Sequence, residues 1–433
     1  MSSVPSTSSN GFPEGFMWGS CSSSLQTEGA SPSSDWFAWE QAGRMPRSGD
    51  GNGFGSDFAE DFAQLASLGL VHHRLSLDWA RLEPGPGRHD MDAVERYREV
   101  LSAAGDAGIS VWACLHDFVL PGWFSEDQRG FFERSGRSLV WPRHVDWVAE
   151  TFGDLIHGWV PMNEPVTWSM RGWLLGDIPP GRSDVARCAE ALECALLAQH
   201  EAWRVLRSGA QPTMTSHALM PVRAVWPEDD PRQKVAALDS ARQIDELVWS
   251  SWIRAMSEGV LQVPGRALIE VPDMAESFDL IGFSYIGALG VGAEMDLGAR
   301  SDGNHATAHA DALAGPLGSE PWAEGLRLCQ DRLAHELAGR PIVIASCGLG
   351  TETDSATGTG TDGDERRCEY LTDCMQITSE AITDGIDVRG FFHRTGIDGY
   401  ELGAGFDVAS GLIRRDRTPK ASADVARHWA SGT

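Results

Sequence analysis

A chain of 433 residues with 42% hydrophobic content can bury a large core, as one elaborated barrel or as two domains. The formal net charge of -27 repels phosphate backbones and anionic membrane surfaces, which argues against nucleic acid and membrane lipid as partners. Residues 1–15 are Ser- and Pro-rich and lack the basic start and apolar stretch of a secretory signal, and no apolar run of about 18 residues follows, so a soluble, cytoplasmic protein is expected.

Along the chain, eight short apolar or β-branched runs recur: Phe16–Ser24, Val71–Leu77, Ser110–Leu115, Gly158–Glu164, Pro212–Leu219, Asp279–Tyr285, Pro341–Ser346 and Gly390–Gly396. Between them lie stretches of helical periodicity, among them Asp57–Leu68, Asp92–Ala107, Ala186–Arg207, Glu320–Ala338 and Glu365–Thr383. That alternation builds a parallel sheet with covering helices, and eight units without a composition break predict an α/β fold, a single (β/α)8 TIM barrel over 16–433 behind a flexible segment 1–15. Gly287–Gly318 and Ser355–Gly363 read as irregular loops at the barrel mouth. The eight cysteines are scattered without C-x-x-C pairs and read as reduced thiols. His305 and His309 share metal-pair spacing but lack the glutamate of H-E-x-x-H, and Gly358, Gly360 and Gly363 lack the Lys-Ser/Thr of a phosphate loop; neither metal nor cofactor is expected.

Barrel enzymes place their chemistry at the C-terminal ends of the strands, and there the fourth run ends in Asn163-Glu164-Pro165, with Trp168 and Trp173 beyond. A pocket glutamate at such an end suits a general acid, although Glu164 beside Pro165 also reads as a helix N-terminal residue. Longer segments in the same order resemble glycoside hydrolase family 1. Phe16-Met17-Trp18-Gly19 through Gln26, Glu28, Gly29 and Ala30 resembles the family's F-x-W-G-x-A-T-x-x-Y-Q-x-E-G-A, and His73-Arg74-Leu75-Ser76 through Trp79 and Arg81 its Y-R-F-S-I-x-W-x-R. Leu115-His116-Asp117-Phe118 through Pro121 is similar to L-H-H-F-x-L-P, and Met162-Asn163-Glu164-Pro165 to F-N-E-P. The resemblance implies that Glu164 is the general acid/base, that Asn163 contacts the sugar 2-hydroxyl, that Gln26 binds hydroxyls further round the ring, and that Glu401 of Asp398-Gly399-Tyr400-Glu401-Leu402 grips the sugar. Arg74, His116 and Tyr285, in the matched segments, are expected to contact substrate as well.

The departures are as pointed as the matches. Where the family carries its nucleophile in I-T-E-N-G, this sequence reads Ile344-Ala345-Ser346-Cys347-Gly348; a serine without an adjacent base is a poor nucleophile and offers no negative charge to an oxocarbenium-like transition state. N-Y-Y becomes Ser284-Tyr285-Ile286, the strand-eight Trp becomes Arg394, the Trp after the gripping glutamate becomes Leu402, and the strand-three His becomes Asp117. Asp117 and Arg394 are expected either to pair with each other or to leave Arg394 for an anionic group on the ligand. The resulting expectation is a family 1-like enzyme acting on a small glycoside or sugar-derived metabolite through Glu164, with no carboxylate nucleophile. Inverting hydrolysis with Asp117 or Glu401 as base, proton-transfer chemistry, and a non-catalytic sugar-binding protein all stay open, and the oligomeric state is not legible.

Overall fold

The computed structural model describes residues 11–127, 129–227, 230–293, 321–352 and 362–432. Eight parallel strands, β1 (Met17–Cys21), β2 (His72–Ser76), β3 (Ser110–Cys114), β4 (Gly158–Val160), β5 (His217–Leu219), β6 (Ile281–Tyr285), β7 (Ile342–Cys347) and β8 (Val388–Arg394), are bonded in the order β4-β3-β2-β1-β8-β7-β6-β5. The two ends of that order meet. Trp159 N donates to Pro212 O at 2.9 Å and Met214 N to Trp159 O at 2.8 Å, so the sheet closes on itself and keeps no open edge. The first six strands fall inside the runs expected from sequence; β7 ends at Cys347 and β8 starts at Val388, slightly outside theirs.

The major helices are α1 (Phe54–Ser67), α2 (Met91–Asp106), α3 (Trp141–Phe152), α4 (Val185–Leu206), α5 (Pro231–Asp245), α6 (Glu324–Glu336), α7 (Asp362–Thr383) and α8 (Ala421–Ser431). Their starts follow from side-chain chemistry: Asp90 accepts from the backbone of Asp92 and Ala93 to open α2, and Asp184 accepts from Arg187 N to open α4. On α2, Val94, Tyr97, Val100, Leu101 and Ala104 recur at helical spacing and form the buried face.

Inside the ring of strands Trp112, Val160, Met214, Val343 and Phe392 pack into a solid barrel core. Gly158 is required there, because a Cβ at that position would lie 2.3 Å from the Trp112 ring. The segment expected to be flexible to residue 15 is instead anchored from Gly11 onward. Phe12 is 1% exposed, with ring centroids 4.7 Å from both Phe16 and Trp18. Its aromatic ring explains the difference, since burial outweighs the loop-like composition around it. His305, His309 and most of the two expected loops lie outside the described residues; before the first gap Leu289–Val291 pairs in parallel with Val222–Ala224. Among the described residues no helix is long and apolar enough to cross a membrane, no group of His, Cys, Asp and Glu could hold a metal ion, and the cysteines are free.

Candidate active site

The C-terminal ends of the strands surround a cavity whose lining includes Gln26, Arg74, Asp117, Asn163, Glu164, Ser346, Arg394 and Glu401. Eight of the ten residues singled out from sequence therefore converge, from β1, β2, β3, β4, β7 and β8. His116 and Tyr285 do not. His116 is buried between Phe131 and Trp168, at centroid distances of 5.7 and 5.2 Å, and burial pulls its imidazole down to about 3, so it is neutral. Tyr285 is fully buried and its hydroxyl donates to Trp322 O. The neighbours Asp117 and Ile286, just past the ends of their strands, line the cavity in their place.

Glu164 has left-handed backbone, φ 47°, a conformation that costs a non-glycine residue energy and gathers at functional positions. It occupies the N-cap position of the short helix Pro165–Ser169, yet its side chain makes no capping bond there. Its backbone N donates to Ser216 O at 2.7 Å, which fixes the carboxyl-bearing Cα at the mouth of β4. Asn163 is clamped at both ends of its amide: Nδ2 donates to Asp117 Oδ1 at 2.9 Å, and Oδ1 accepts from Ser216 Oγ at 2.7 Å. Asp117 also accepts from Ser76 Oγ at 3.5 Å and lies 3.8 Å from Arg74 Nη1. Burial pushes its carboxyl up, with the Arg74 charge pulling it partly back.

Arg394 pairs neither with Asp117 nor with an open cavity. Its Nη2 donates to Glu401 Oε2 at 2.6 Å, and the Glu401 charge, acting against burial, holds the guanidinium above its usual value. Ser410 Oγ donates to Glu401 Oε1, so both oxygens of the glutamate expected to grip a sugar are engaged from within. Of the two arrangements left open for these charges, the Asp117–Arg394 pair is not formed: Asp117 is held by Asn163 and Ser76, while Arg394 reaches along its own strand end to Glu401. Gln26 Oε1 accepts from Ser23 N at 3.3 Å and Ser23 Oγ at 3.1 Å, as half of a capping box that sets its helix at the rim.

Ser346 reaches the cavity because β7 breaks register between Ile344 and Ser346 against β6; such irregularities re-aim side chains at the mouths of barrels. Cys21 Sγ donates to Ser346 Oγ at 3.5 Å, whereas Cys347 turns away, its sulfur 3.9 Å from Cys374. Sequence reasoning missed the hydroxyls that hold the site. Ser216 and Ser410 stand in no recognisable motif, and Ser22 lines the cavity with Oγ 3.0 Å from His73 Nε2, whose Nδ1 is 2.8 Å from Ser20 Oγ. The only sequence signal for that relay is the Ser-rich end of the first strand run.

Carboxylates, guanidinia and hydroxyls gathered at the mouth of a closed (β/α)8 barrel define the class: a TIM barrel with a polar cavity at the C-terminal ends of its strands. The sequence matches the Glycosyl hydrolase family 1 profile across residues 8–430, and the chain belongs to that family. It is 23% identical to beta-glucosidase A of Thermotoga maritima, covering 97% of both chains, and 26% identical to coniferin beta-glucosidase of Pinus contorta, covering 97% of this chain and 92% of that one. Among solved structures it resembles the beta-glycosidase from Pyrococcus horikoshii, with a TM-score of 0.81 at 25% identity over 97% of this chain and 95% of that one.

Proposed function

We propose that the protein acts on a small glycoside, with Glu164 as the proton-transferring acid and base, and without forming a covalent glycosyl-enzyme. The observation that carries this reading is the pairing of Glu164 and Ser346 on the lining of one cavity, three strands apart round the barrel. The other two carboxylates are committed elsewhere, Asp117 to Asn163 and Glu401 to Arg394, which leaves Glu164 as the group suited to exchange a proton with a bound oxygen. A seryl hydroxyl supplies neither the nucleophilicity nor the charge that the retaining route requires of its second carboxylate. The test uses a slow fluorinated glycoside and intact-protein mass spectrometry beside a turnover assay on aryl β-glucosides. Turnover that depends on Glu164, with no sugar adduct on the protein, is expected; a stable adduct on Ser346 overturns the reading.

A further inference from the structure

Arg74 is left over by that account. It lies midway along β2, lines the cavity and is 4% exposed, yet its Nε and Nη1 have no hydrogen-bond partner. The Asp117 carboxylate beside it stands at 3.8 Å, beyond hydrogen-bond range, and is already engaged by Asn163 and Ser76. The other neighbours of Arg74 are the uncharged thiols of Cys21 and Cys114, which are weak acceptors. Arg394 and Arg171, the other guanidinia on the lining, each donate to a carboxylate. A guanidinium carries five donors in a fixed fork, and leaving buried charged donors unpaired is costly, so the geometry around Arg74 is that of a site short of one acceptor.

The missing acceptor belongs beside Ser346. Cys21 and Arg74 share the lining with Ser346, Cys21 Sγ donates to Ser346 Oγ at 3.5 Å, and the next residue, Ser22, brings a second hydroxyl to the lining. A guanidinium fork with two hydroxyls is a donor set for a small tetrahedral oxyanion. We propose that Arg74, Ser346 and Ser22 hold a free inorganic oxyanion of the phosphate class, and that it serves as the co-substrate in the glycoside reaction. The step rests on the reading of Glu164 above. A phosphate oxygen attacks the anomeric carbon and forms the C1–O–P linkage. The bond from C1 to the aglycone oxygen breaks, its electron pair stays on that oxygen, and Glu164 supplies the proton. The proton then shed by the bound dihydrogen phosphate restores Glu164. Glycoside and dihydrogen phosphate become glycosyl phosphate of inverted anomeric configuration and a free alcohol, with atoms and charge conserved.

Calorimetric titration of the full chain with inorganic phosphate alone reads the anion site, and aryl β-glucoside turnover with and without phosphate, followed by ³¹P NMR, reads the reaction. Phosphate is expected to bind the wild type, to bind Arg74→Met at least about tenfold more weakly, and to accelerate aglycone release with formation of a glycosyl phosphate. Ser346→Glu, which leaves Arg74 in place and puts a carboxylate where the anion is expected, should lose phosphate binding and show turnover indifferent to phosphate; it keeps the test alive if Arg74→Met fails to fold. Failure of phosphate to bind the wild type overturns the proposal, as does affinity for a ligand's own carboxylate without affinity for free phosphate. Glu164-dependent aglycone release that ignores phosphate sinks the co-substrate while leaving the proposed function standing. Phosphate binding without turnover of any glycoside sinks both.

Discussion

Glu164 and Ser346 share a cavity, the proposed function gives them unequal chemical duties, and their substitutions separate them. Glu164→Gln keeps shape and removes the proton, so turnover of aryl glycosides is expected to fall about 10²- to 10⁴-fold, most steeply for poor leaving groups, with an unchanged melting temperature. Ser346→Ala should cost far less; equal losses in steady-state kinetics would mean that the serine acts chemically. Arg394 belongs to the scaffold on the geometry seen here. Arg394→Gln strips Glu401 of its 2.6 Å partner and is expected to lower unfolding free energy by about 1–3 kcal/mol in urea, while the preference between acid and amide forms of a ligand stays as in the wild type. Glu28, beside the rim, gives a pH signature. Burial, only partly offset by Arg81, raises its carboxyl from 4.5 to about 7, so the folded state holds this proton more tightly than the unfolded chain and the group's contribution to stability falls as pH rises through that window. Glu28→Gln, neutral throughout, should therefore gain on the wild type in thermal melts as pH rises from below 4.5 to above 7, with the gap level beyond.

At the scale of elements, the eight strands were legible because each is a short apolar run bounded by polar segments, a pattern that a buried parallel strand imposes on its sequence. The facing of residues at strand ends was not legible. His116 and Tyr285 sit in matched segments, but which of two neighbours enters the cavity depends on where the extended backbone stops alternating and, on β7, on a register break at Ala345 that no local signal announces. The partners of the two new charges were not legible for a related reason: Arg394 and Asp117 were both recognisable, but Glu401 and Asn163, which engage them, were legible only in the sugar-contacting roles that the resemblance implies. The start of the chain was misjudged on composition. Phe12 lies in the aromatic group with Phe16, Trp18 and Trp429, so Phe12→Ala is expected to cost about 3–5 kcal/mol by chemical denaturation, where a flexible tail would register nothing.

The whole molecule carries 62 acidic against 35 basic residues, and at a net charge of -27 its long-range self-energy opposes compaction. Short-range pairs on the surface, such as Arg204 with Asp273 at 2.7 Å and Arg332 with Asp245 at 2.6 Å, act in the opposite direction but over a few ångströms only. Salt discriminates between the two, since the screening length falls from about 30 Å at 0.01 M to about 8 Å at 0.15 M and removes distant repulsion before close attraction. Melting temperature is therefore expected to rise as sodium chloride is added over that range; a fall would mean that the pairs outweigh the field. The same measurement reaches the cavity. An anion that binds only the folded state adds stabilisation that grows with the logarithm of its concentration over its dissociation constant, on top of screening. At matched ionic strength, sodium phosphate should then melt the wild type at a higher temperature than sodium chloride does. In Ser346→Glu, whose own carboxylate would neutralise Arg74, the two salts should give the same curve. A phosphate excess that persists in that variant would place the anion elsewhere on the surface and detach it from the chemistry of Glu164.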